Sequence, residues 1–557
     1  MMKNSLVAVK CLNNKTRKNY PMGTTLIDIF RDQDVKLDNE PLCALVNNEA
    51  KELNFRVFKP KTVEFVDFTH LAGHRAFVRS VAFVLHKAVK ELYPKSGLRI
   101  EHAVSNGYFC KINGEVQELT EEIIEKIKNR MQEIVDADIP FVRHEEETEK
   151  VLKLFEEQDL CDKVKLLKTL GWVYSPYYTL EDTVDYYYGT LVPSTGYIHN
   201  FSLVKYHDGA LIRIPMRTNP DKLEPVVDMP KLTDIFGEYA KWNGVMKLQN
   251  VGDLNEAADN GKVRDLIKVA EAFHEKKVAH IADLIAERKD EVKIILVSGP
   301  SSSGKTTFSK RLSLQLMVAG INPVGLSLDN YFVDREKTPL DENGQLDFES
   351  LYALNLDLFN QQMRDLLDGK EVELPQFSFT EGKSYFRGDK MKMEADDVLI
   401  IEGIHGLNPE LTRSIDDKFK FKIYVSALTT ISLDNHNWIP TSDNRLIRRI
   451  IRDNRYRGYS ATETISRWES VRSGEDKWIY PYQENANIMF NSALLFELAV
   501  LKRYAEPILR EVRQDSPHYA EAIRLLDFLR YFKSIRDSEI PPTSLIREFL
   551  GGSSFRY

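Results

Sequence analysis

Val292-Lys293-Ile294-Ile295-Leu296-Val297-Ser298, followed at once by Gly299-Pro300-Ser301-Ser302-Ser303-Gly304-Lys305-Thr306, is the stretch on which the reading of this chain turns. The first run is short, apolar and rich in β-branched residues, which predicts a buried parallel strand. The second has the spacing G-x-x-x-x-G-K-[ST]. Beyond it, Phe308, Leu312, Leu314 and Leu316 lie in a helix-forming stretch that ends near Gly320. Strand, glycine loop and helix in that order make a phosphate cradle. The glycines let backbone amides turn toward an anion at a helix N-terminus, Lys305 reaches a transferable phosphate, and the Thr306 hydroxyl is a hard oxygen ligand for Mg²⁺. Gly299, Ser301, Ser302, Ser303, Gly304, Lys305, Thr306 and Thr307 are therefore the expected nucleotide-binding residues. The bland alternative is a Gly/Ser-rich turn. A chance match in a chain of this length has a frequency on the order of a few per cent, and the flanking strand and helix lower it further.

At 557 residues the chain should hold several domains with full-sized cores. Hydrophobic content of 43% and charged content of 29% are ordinary for a soluble globular protein, and no apolar run approaches membrane-spanning length. A net charge of −8 gives no global field for nucleic acid, so any RNA contact would need a local basic patch. Cys11, Cys43, Cys110 and Cys161 form no C-x-x-C pair, which argues against a disulfide framework or a thiolate zinc site. With those cysteines a reducing cytoplasm is the expected location; Met1 to Val9 holds one lysine, then reads as a strand, with no long apolar segment or small-residue cleavage site.

Residues 1–67 read as short strands around one helix: Leu6-Val7-Ala8-Val9, a polar turn, Thr25 through Phe30, Cys43-Ala44-Leu45-Val46 and Val63-Glu64-Phe65. The pattern resembles a ubiquitin-like TGS module, common at the front of threonyl-tRNA synthetases. Residues 68–238 carry Phe83 through Pro94, Ser105-Asn106-Gly107-Tyr108-Phe109, a helical Leu119 to Val135, Val184 through Gly189, and His199-Asn200-Phe201. These resemble the second, editing-type α+β domain of threonyl- and alanyl-tRNA synthetases. The resemblance implies an RNA or ribosomal partner for the front half. It fails where editing chemistry would sit, because Arg79, Phe83, Tyr187 and Leu191 occupy the places expected for the family's His and Cys set. His70-x-x-x-His74 would put two imidazoles on one helix face, but no Cys or carboxylate stands at ligand-like spacing beside them, and solvated histidines are the competing reading. A binding or regulatory scaffold is the expectation. Residues 239–288, with Val263 through Ala270 and Ile281 through Ile285, read as a helical connector, and no solenoid repeat appears.

Residues 289–557 contain two further strands that end on acids. Val324-Gly325-Leu326-Ser327-Leu328 leads to Asp329, and Asp397-Val398-Leu399-Ile400-Ile401 leads to Glu402. Strand C-termini in a parallel sheet converge on the ligand crevice, so both carboxylates should face Lys305 and Mg²⁺. Taken alone, Asp329 is as readily a helix cap as a base. Arg445, Arg448, Arg449 and Arg452 recur at i, i+3, i+4 and i+7, a spacing that lines four guanidiniums along one helix face for phosphate, or makes a solvated basic stripe. No N-K-x-D motif for reading guanine follows the loop.

The loop, Ser327-Leu328-Asp329-Asn330-Tyr331-Phe332, Asp347-Phe348-Glu349, Leu374-Pro375-Gln376-Phe377-Ser378-Phe379, Ile401-Glu402-Gly403-Ile404 and Arg448-Arg449-Ile450-Ile451-Arg452-Asp453 with Arg457-Gly458 occur in the order of the uridine kinase and phosphoribulokinase family, which this half resembles. The resemblance implies a P-loop NTPase parallel sheet with flanking helices, and ATP- and Mg²⁺-dependent phosphorylation of a hydroxyl, foremost the 5′-hydroxyl of a uridine- or cytidine-like nucleoside. It makes Asp329 the general base, Glu349 the holder of sugar hydroxyls, and Arg449, Arg452 and Arg457 lid arginines. Thr306 and Glu402 become the metal residues, and Tyr331 and Phe377 join Asp329 and Glu349 in the acceptor pocket. Phe377, Ser378 and Gly382 stand where the family's pyrimidine kinases carry Tyr, Asp and His, and Tyr459 replaces an arginine, so another sugar or polyol is the alternative acceptor. An ATP-driven, RNA-associated regulator is the alternative of a different class. Oligomeric state is left open. From Leu501 to Phe549 the pattern is amphipathic, with Tyr504, Ile508, Leu509, Leu525, Leu526, Phe528 and Leu529 expected to pack helices over the kinase sheet.

Overall fold

In the computed structural model, which describes residues 5–341, 344–378, 380–394 and 396–556, the chain opens on a five-stranded sheet. Its strands are β1 (Leu6–Cys11), β2 (Arg17–Pro21), β3 (Cys43–Val46), β4 (Glu49–Lys51) and β5 (Lys61–Val66), in the order β2-β1-β5-β3-β4. Helix α1 (Leu26–Gln33) lays Leu26 and Ile29 against Val7, Val9 and Phe65. The Thr25 hydroxyl caps it by accepting from the Asp28 amide at 3.3 Å. The segment read as a polar turn contains β2, an edge strand in which only Tyr20 points inward. Residues Met1 to Asn4 of the opening, and Phe379 of the expected acceptor strand, lie outside the described residues.

Helix α2 (Leu71–Leu92) and α3 (Glu121–Asp136) pack together and on an antiparallel sheet that contains β6 (Gly97–Val104) and β7 (Gly107–Asn113). There follow β8 (Val142–Glu147), α4 (Thr148–Glu157), α5 (Cys161–Leu170), β9 (Tyr174–Leu180) and β10 (Thr183–Asp185). Strands β11 (Ser202–Tyr206) and β12 (Gly209–Arg213) complete the first sheet as β11-β12-β7-β6, and β8, β9 and β10 form their own. Val151 and Phe155 of α4 and Leu166 and Leu167 of α5 share one core with the connector and the rear half. Beside that core, Lys163 Nζ lies 3.0 Å from Asp185 Oδ1 and 2.8 Å from Asp434 Oδ1, and His86 and His436 both bring Nδ1 to Asp185 Oδ2. The front and rear halves are thus joined by packing and by a buried, mutually paired ionic cluster, the only way such charges are tolerated in an interior.

The connector is α6 (Pro230–Met246), α7 (Val251–Asp259) and α8 (Val263–Ala286). The boundary expected between residues 238 and 239 falls inside α6, because Pro230, with no amide to leave unsatisfied, starts that helix earlier. Next come β13 (Ile294–Ser298), α9 (Lys305–Val318), β14 (Asn322–Ser327), α10 (Leu356–Leu367), a hairpin of β15 (Val372–Ser378) and β16 (Lys383–Met391), β17 (Asp397–Glu402) and β18 (Lys420–Ser426). After α11 (Thr441–Arg457), α12 (Ala461–Trp478) and β19 (Ile488–Asn491), the chain ends in α13 (Glu497–Arg510), α14 (Tyr519–Leu529) and the short α15 (Arg547–Leu550). The rear sheet is parallel throughout, ordered β14-β17-β13-β18-β19. On central β13, Ile295 and Val297 pack with Phe308 and Leu312 of α9, while Ile294 and Leu296 pack with Phe359 and Met363 of α10 on the other face. Burial on both faces is why the strand reads as an uninterrupted apolar run.

Candidate functional site

Two glycines shape the loop after β13. A Cβ on Gly299 would collide with the Val425 carbonyl group, so the backbone passes β18 only without a side chain. Gly304 has φ +85°, in the left-handed region, and a Cβ there would lie 3.0 Å from Leu545 Cγ. The loop then enters α9 at Lys305, whose Nζ donates to the carbonyls of Gly299 (2.9 Å) and Pro300 (3.1 Å). Burial lowers the Lys305 pKa from its ordinary value, while Glu402, Asp329 and Glu548 act to keep it charged. Ser301 is held from two sides: its carbonyl accepts from Arg445 Nε at 2.9 Å, and its hydroxyl from Arg449 Nη1 at 2.8 Å. The hydroxyls of buried Ser302 and Ser303 have no protein partner.

Strand register brings the acids to this loop. Glu402 pairs across with Val297 on one side and Ser327 on the other, so the ends of three strands lie level. Thr306 Oγ1 donates to Glu402 Oε1 at 2.7 Å. Burial pushes the Glu402 carboxyl up to about 7, with Lys305 and Thr306 pulling it down and Glu548 and Asp329 pushing it further up. Asp329 follows in a short 3₁₀ turn and is open to the crevice. Its amide donates to Ser327 Oγ at 3.3 Å, so here serine is the cap and the aspartate side chain is left for other work. Desolvation within the crevice raises the Asp329 pKa against the pull of Lys305, Arg457 and Arg452. A hydroxyl and a carboxylate that is short of positive charge suit Mg²⁺, so Thr306 and Glu402 fit the metal role expected of them.

Glu349 approaches from the other wall. Its amide donates to Asp347 Oδ1 at 3.1 Å, and its side chain lies against α12 at Gly474. Desolvation, then the charge of Glu475, pushes the Glu349 carboxyl up to about 7, against Arg449 and Lys305. Phe377, on β15, sits with its ring centre 5.5 Å from that of Phe332. Tyr331 has to be corrected. Its hydroxyl donates to Gln362 Oε1 at 2.7 Å and its ring packs 5.2 Å from Phe359 inside the core, so it is a packing residue and not a wall of the acceptor pocket.

The arginine face also divides. Arg445 and Arg448 are fully buried. Arg445 pairs with Glu475 through both terminal nitrogens, and Arg448 Nη2 lies 2.6 Å from Glu497 Oε2 while its Nη1 reaches the Ser302 carbonyl at 3.4 Å. These two hold the loop from behind and have no free face for phosphate. The helical period placed all four together correctly but could not show that acids from α12 and α13 claim two of them. Arg449, Arg452 and Arg457 gather on Asp453 at 3.3, 2.9 and 3.3 Å. From there Arg452 and Arg457 act on Asp329, and Arg449 on Glu349.

In the front half, Phe83, Tyr187 and Leu191 meet in one apolar core, with Phe83 and Tyr187 ring centres 5.5 Å apart. Arg79 donates to the Thr190 carbonyl at 3.2 Å and stacks over Tyr188. His70 caps α2 through Nδ1, accepting from the Ala72 amide at 3.1 Å, and burial lowers His74 to about 4. Neither belongs to a metal-ligand cluster among the described residues. A cavity of about 2330 Å³ lies between the halves, lined by residues that include Arg75, Tyr108, Tyr188, Arg472 and Tyr480. Lys305, Thr306, Asp329, Glu349 and Glu402 are not among its lining residues.

One participant had no sequence signal. Glu548 of α15 accepts from the Thr307 hydroxyl at 2.7 Å and from its amide at 3.3 Å. Only tertiary folding brings this carboxylate across 241 residues to the loop. The C-terminal helices do cover the kinase core as expected, and their final turn also reaches the site.

Residues 294–494 match the family model for the phosphoribulokinase / uridine kinase family. The chain is 32% identical over 207 residues to the uridine kinase of Ligilactobacillus salivarius (strain UCC118), covering 37% of this chain and 87% of that protein. It is 31% identical over 198 residues to the uridine kinase of Staphylococcus aureus (strain JH9), covering 35% and 86%. The N-terminal region is similar to threonine–tRNA ligases, among them that of Carboxydothermus hydrogenoformans, 30% identical over 200 residues, 36% of this chain and 31% of that enzyme. The chain spans under a third of the length of the ligases it matches.

Proposed function

The chain belongs to the phosphoribulokinase / uridine kinase family, fused behind a threonine–tRNA ligase-like region, and from that premise we propose that it transfers the γ-phosphoryl group of ATP to a nucleoside hydroxyl, foremost the 5′-hydroxyl of uridine or cytidine. Family membership makes it a P-loop kinase of a sugar or nucleoside. The observation that carries the finer reading is the convergence of Lys305, Asp329 and Glu402 at level strand ends, with Glu349 and three arginines on the facing wall. The loop amides and Lys305 hold the polyphosphate, Asp329 takes the acceptor's hydroxyl proton, and Glu349 orients the sugar hydroxyls. Arg449, Arg452 and Arg457 neutralise charge on the transferring group and help exclude water. Mg²⁺ held at Thr306 and Glu402 would supply further charge neutralisation on the phosphate oxygens. Phe377 offers a ring for a base to stack on.

The divisions 1–67 (TGS-like), 68–238 (synthetase second-domain-like), 239–288 (helical connector) and 289–557 (P-loop kinase with C-terminal helices) are proposed as domains, with the first two serving binding or regulation, including RNA. Among the described residues no helix is long and apolar enough to cross a membrane. The test is to supply ATP, Mg²⁺ and a panel of nucleosides, sugars and polyols to the purified chain, following ADP and phosphorylated product together. Nucleoside-stimulated ADP with stoichiometric nucleoside monophosphate is expected, and Lys305→Ala should abolish most of it. ATP hydrolysis with no phosphorylated product would replace this reading with that of an ATP-driven regulator.

A further inference from the structure

The C-terminal turn occupies part of the phosphate loop's working surface. Thr307 is the third residue of α9, and both its amide and its hydroxyl are directed to a single oxygen, Glu548 Oε2. Thr307 has 0% exposure. One helical turn earlier in the same segment, Leu545 packs on Gly304, close enough that any side chain there would strike it. The segment is anchored beyond the loop: Ser544 donates to Glu271 of α8, Arg547 donates to the carbonyls of Asp537 (2.7 Å) and Ile540 (2.8 Å), and the Phe549 ring lies 5.0 Å from the Arg448 guanidinium.

Amides at the start of such a helix are the donors that a nucleotide's α- and β-phosphates take, because the N-terminal end of the helix attracts negative charge. A carboxylate meets the same demand. We infer that Glu548 sets the affinity for nucleotide by competing for the Thr307 donors that a nucleotide phosphate must take over. The inference rests on the phosphate loop being the nucleotide site. Binding then exchanges one anion for another, and the Glu548 side chain has to leave with its charge. Hydrogen bonds to a charged group are among the stronger ones, so relieving this competition should tighten nucleotide binding about ten-fold or more.

The experiment is calorimetric titration of the full chain and its Glu548→Gln and Glu548→Ala variants with Mg-ADP and, separately, with tripolyphosphate, thermal unfolding confirming that the variants fold. Both ligands are expected to bind the variants about ten-fold more tightly, the alanine variant most. Unchanged or weaker binding overturns the inference while leaving the nucleotide site in place. Absence of binding by every form removes the nucleotide reading and the inference with it. Hydrogen exchange on the unmodified chain gives a second measure independent of the variants: Mg-ADP should speed exchange of the amides of Arg547, Glu548 and Phe549, which now bond to Ser544, Leu545 and Ile546. Unaltered exchange on saturation would also overturn it.

Discussion

Gly474, in the middle of α12, is pressed against Glu349: a methyl built on it would overlap the Glu349 Cβ and stand 2.7 Å from its Cγ. The helix therefore fixes where the carboxylate proposed to hold the acceptor stands. Replacing a helix-interior glycine by alanine normally stabilises a protein by about 1 kcal/mol, whereas overpacking costs about 1–3 kcal/mol. Gly474→Ala should lower the thermal midpoint and raise KM for the acceptor several-fold, with a smaller effect on KM for ATP. A stabilised variant with normal acceptor KM would show that Glu349 is not positioned by this contact.

The Glu349 carboxyl, pushed up to about 7 by desolvation and by Glu475, gives a pH dependence of definite sign. Only the ionised form accepts hydrogen bonds through both oxygens, so kcat/KM for the acceptor should rise between about pH 6 and about pH 8. Stability runs the opposite way. A folded pKa above the unfolded value of about 4.3 means that the contribution of this group is fully present below about pH 4.3 and is lost as pH rises through about 7. Glu349→Gln should therefore be more stable than the parent at about pH 8, on the order of 1 kcal/mol after solvent screening, and lose that advantage toward about pH 4. The variant should also lose the rising limb of the rate profile. Retention of that limb would assign it to Glu402, whose carboxyl is likewise raised to about 7, or to Asp329, whose pKa is also raised.

The strand before the loop was legible because burial on both faces leaves an uninterrupted apolar run, seen again in Val398 through Ile401, whereas edge strand β14 is half-exposed and its run is broken by Gly325 and Ser327. The loop was legible because its backbone requires glycine where the Val425 carbonyl and Leu545 approach. Edge strand β2 was not, since Arg17, Lys18 and Asn19 face solvent and only Tyr20 turns inward. Tyr331 differs from the expectation because a resemblance in motif order does not fix on which side of a 3₁₀ turn a ring is buried. Glu475, Glu497 and Glu548 stand in stretches with no local motif, and their roles exist only through partners that tertiary packing supplies.

The division of the arginines has its own consequence. Arg445→Ala takes its bidentate partner from the buried Glu475 carboxylate and leaves it only Arg472 and the Tyr480 hydroxyl, a loss of about 3 kcal/mol that should be visible first as a fall in thermal midpoint. Arg452→Ala removes a partly exposed cation that acts on Asp329; its stability should change by less than about 0.5 kcal/mol while kcat falls roughly 100-fold. Unfolding curves and saturating rates on both variants separate the two roles. Equal stability losses would mean that Arg452 also belongs to the scaffold.

Asp329 is the sharpest test of the chemistry, because its competing role as a helix cap has passed to Ser327, whose hydroxyl accepts from the Asp329 amide. Asparagine keeps the size and a hydrogen-bonding oxygen but does not accept the acceptor's proton, so Asp329→Asn should lower kcat by roughly 10²- to 10⁴-fold. Nucleotide affinity should change little, since the loop amides, Lys305 and Thr306 remain. A residue that instead held the metal would, when altered, weaken Mg-nucleotide binding, and saturating Mg²⁺ and ATP would recover much of the rate. The raised pKa of Asp329 adds a second readout. A base must be ionised to work, so the parent's kcat should fall on the acid side, and this limb should be absent from the residual activity of the asparagine variant. Steady-state kinetics with acceptor, ATP and Mg²⁺ varied separately would decide between these roles, and an Asp329→Asn enzyme with normal kcat would remove the base assignment.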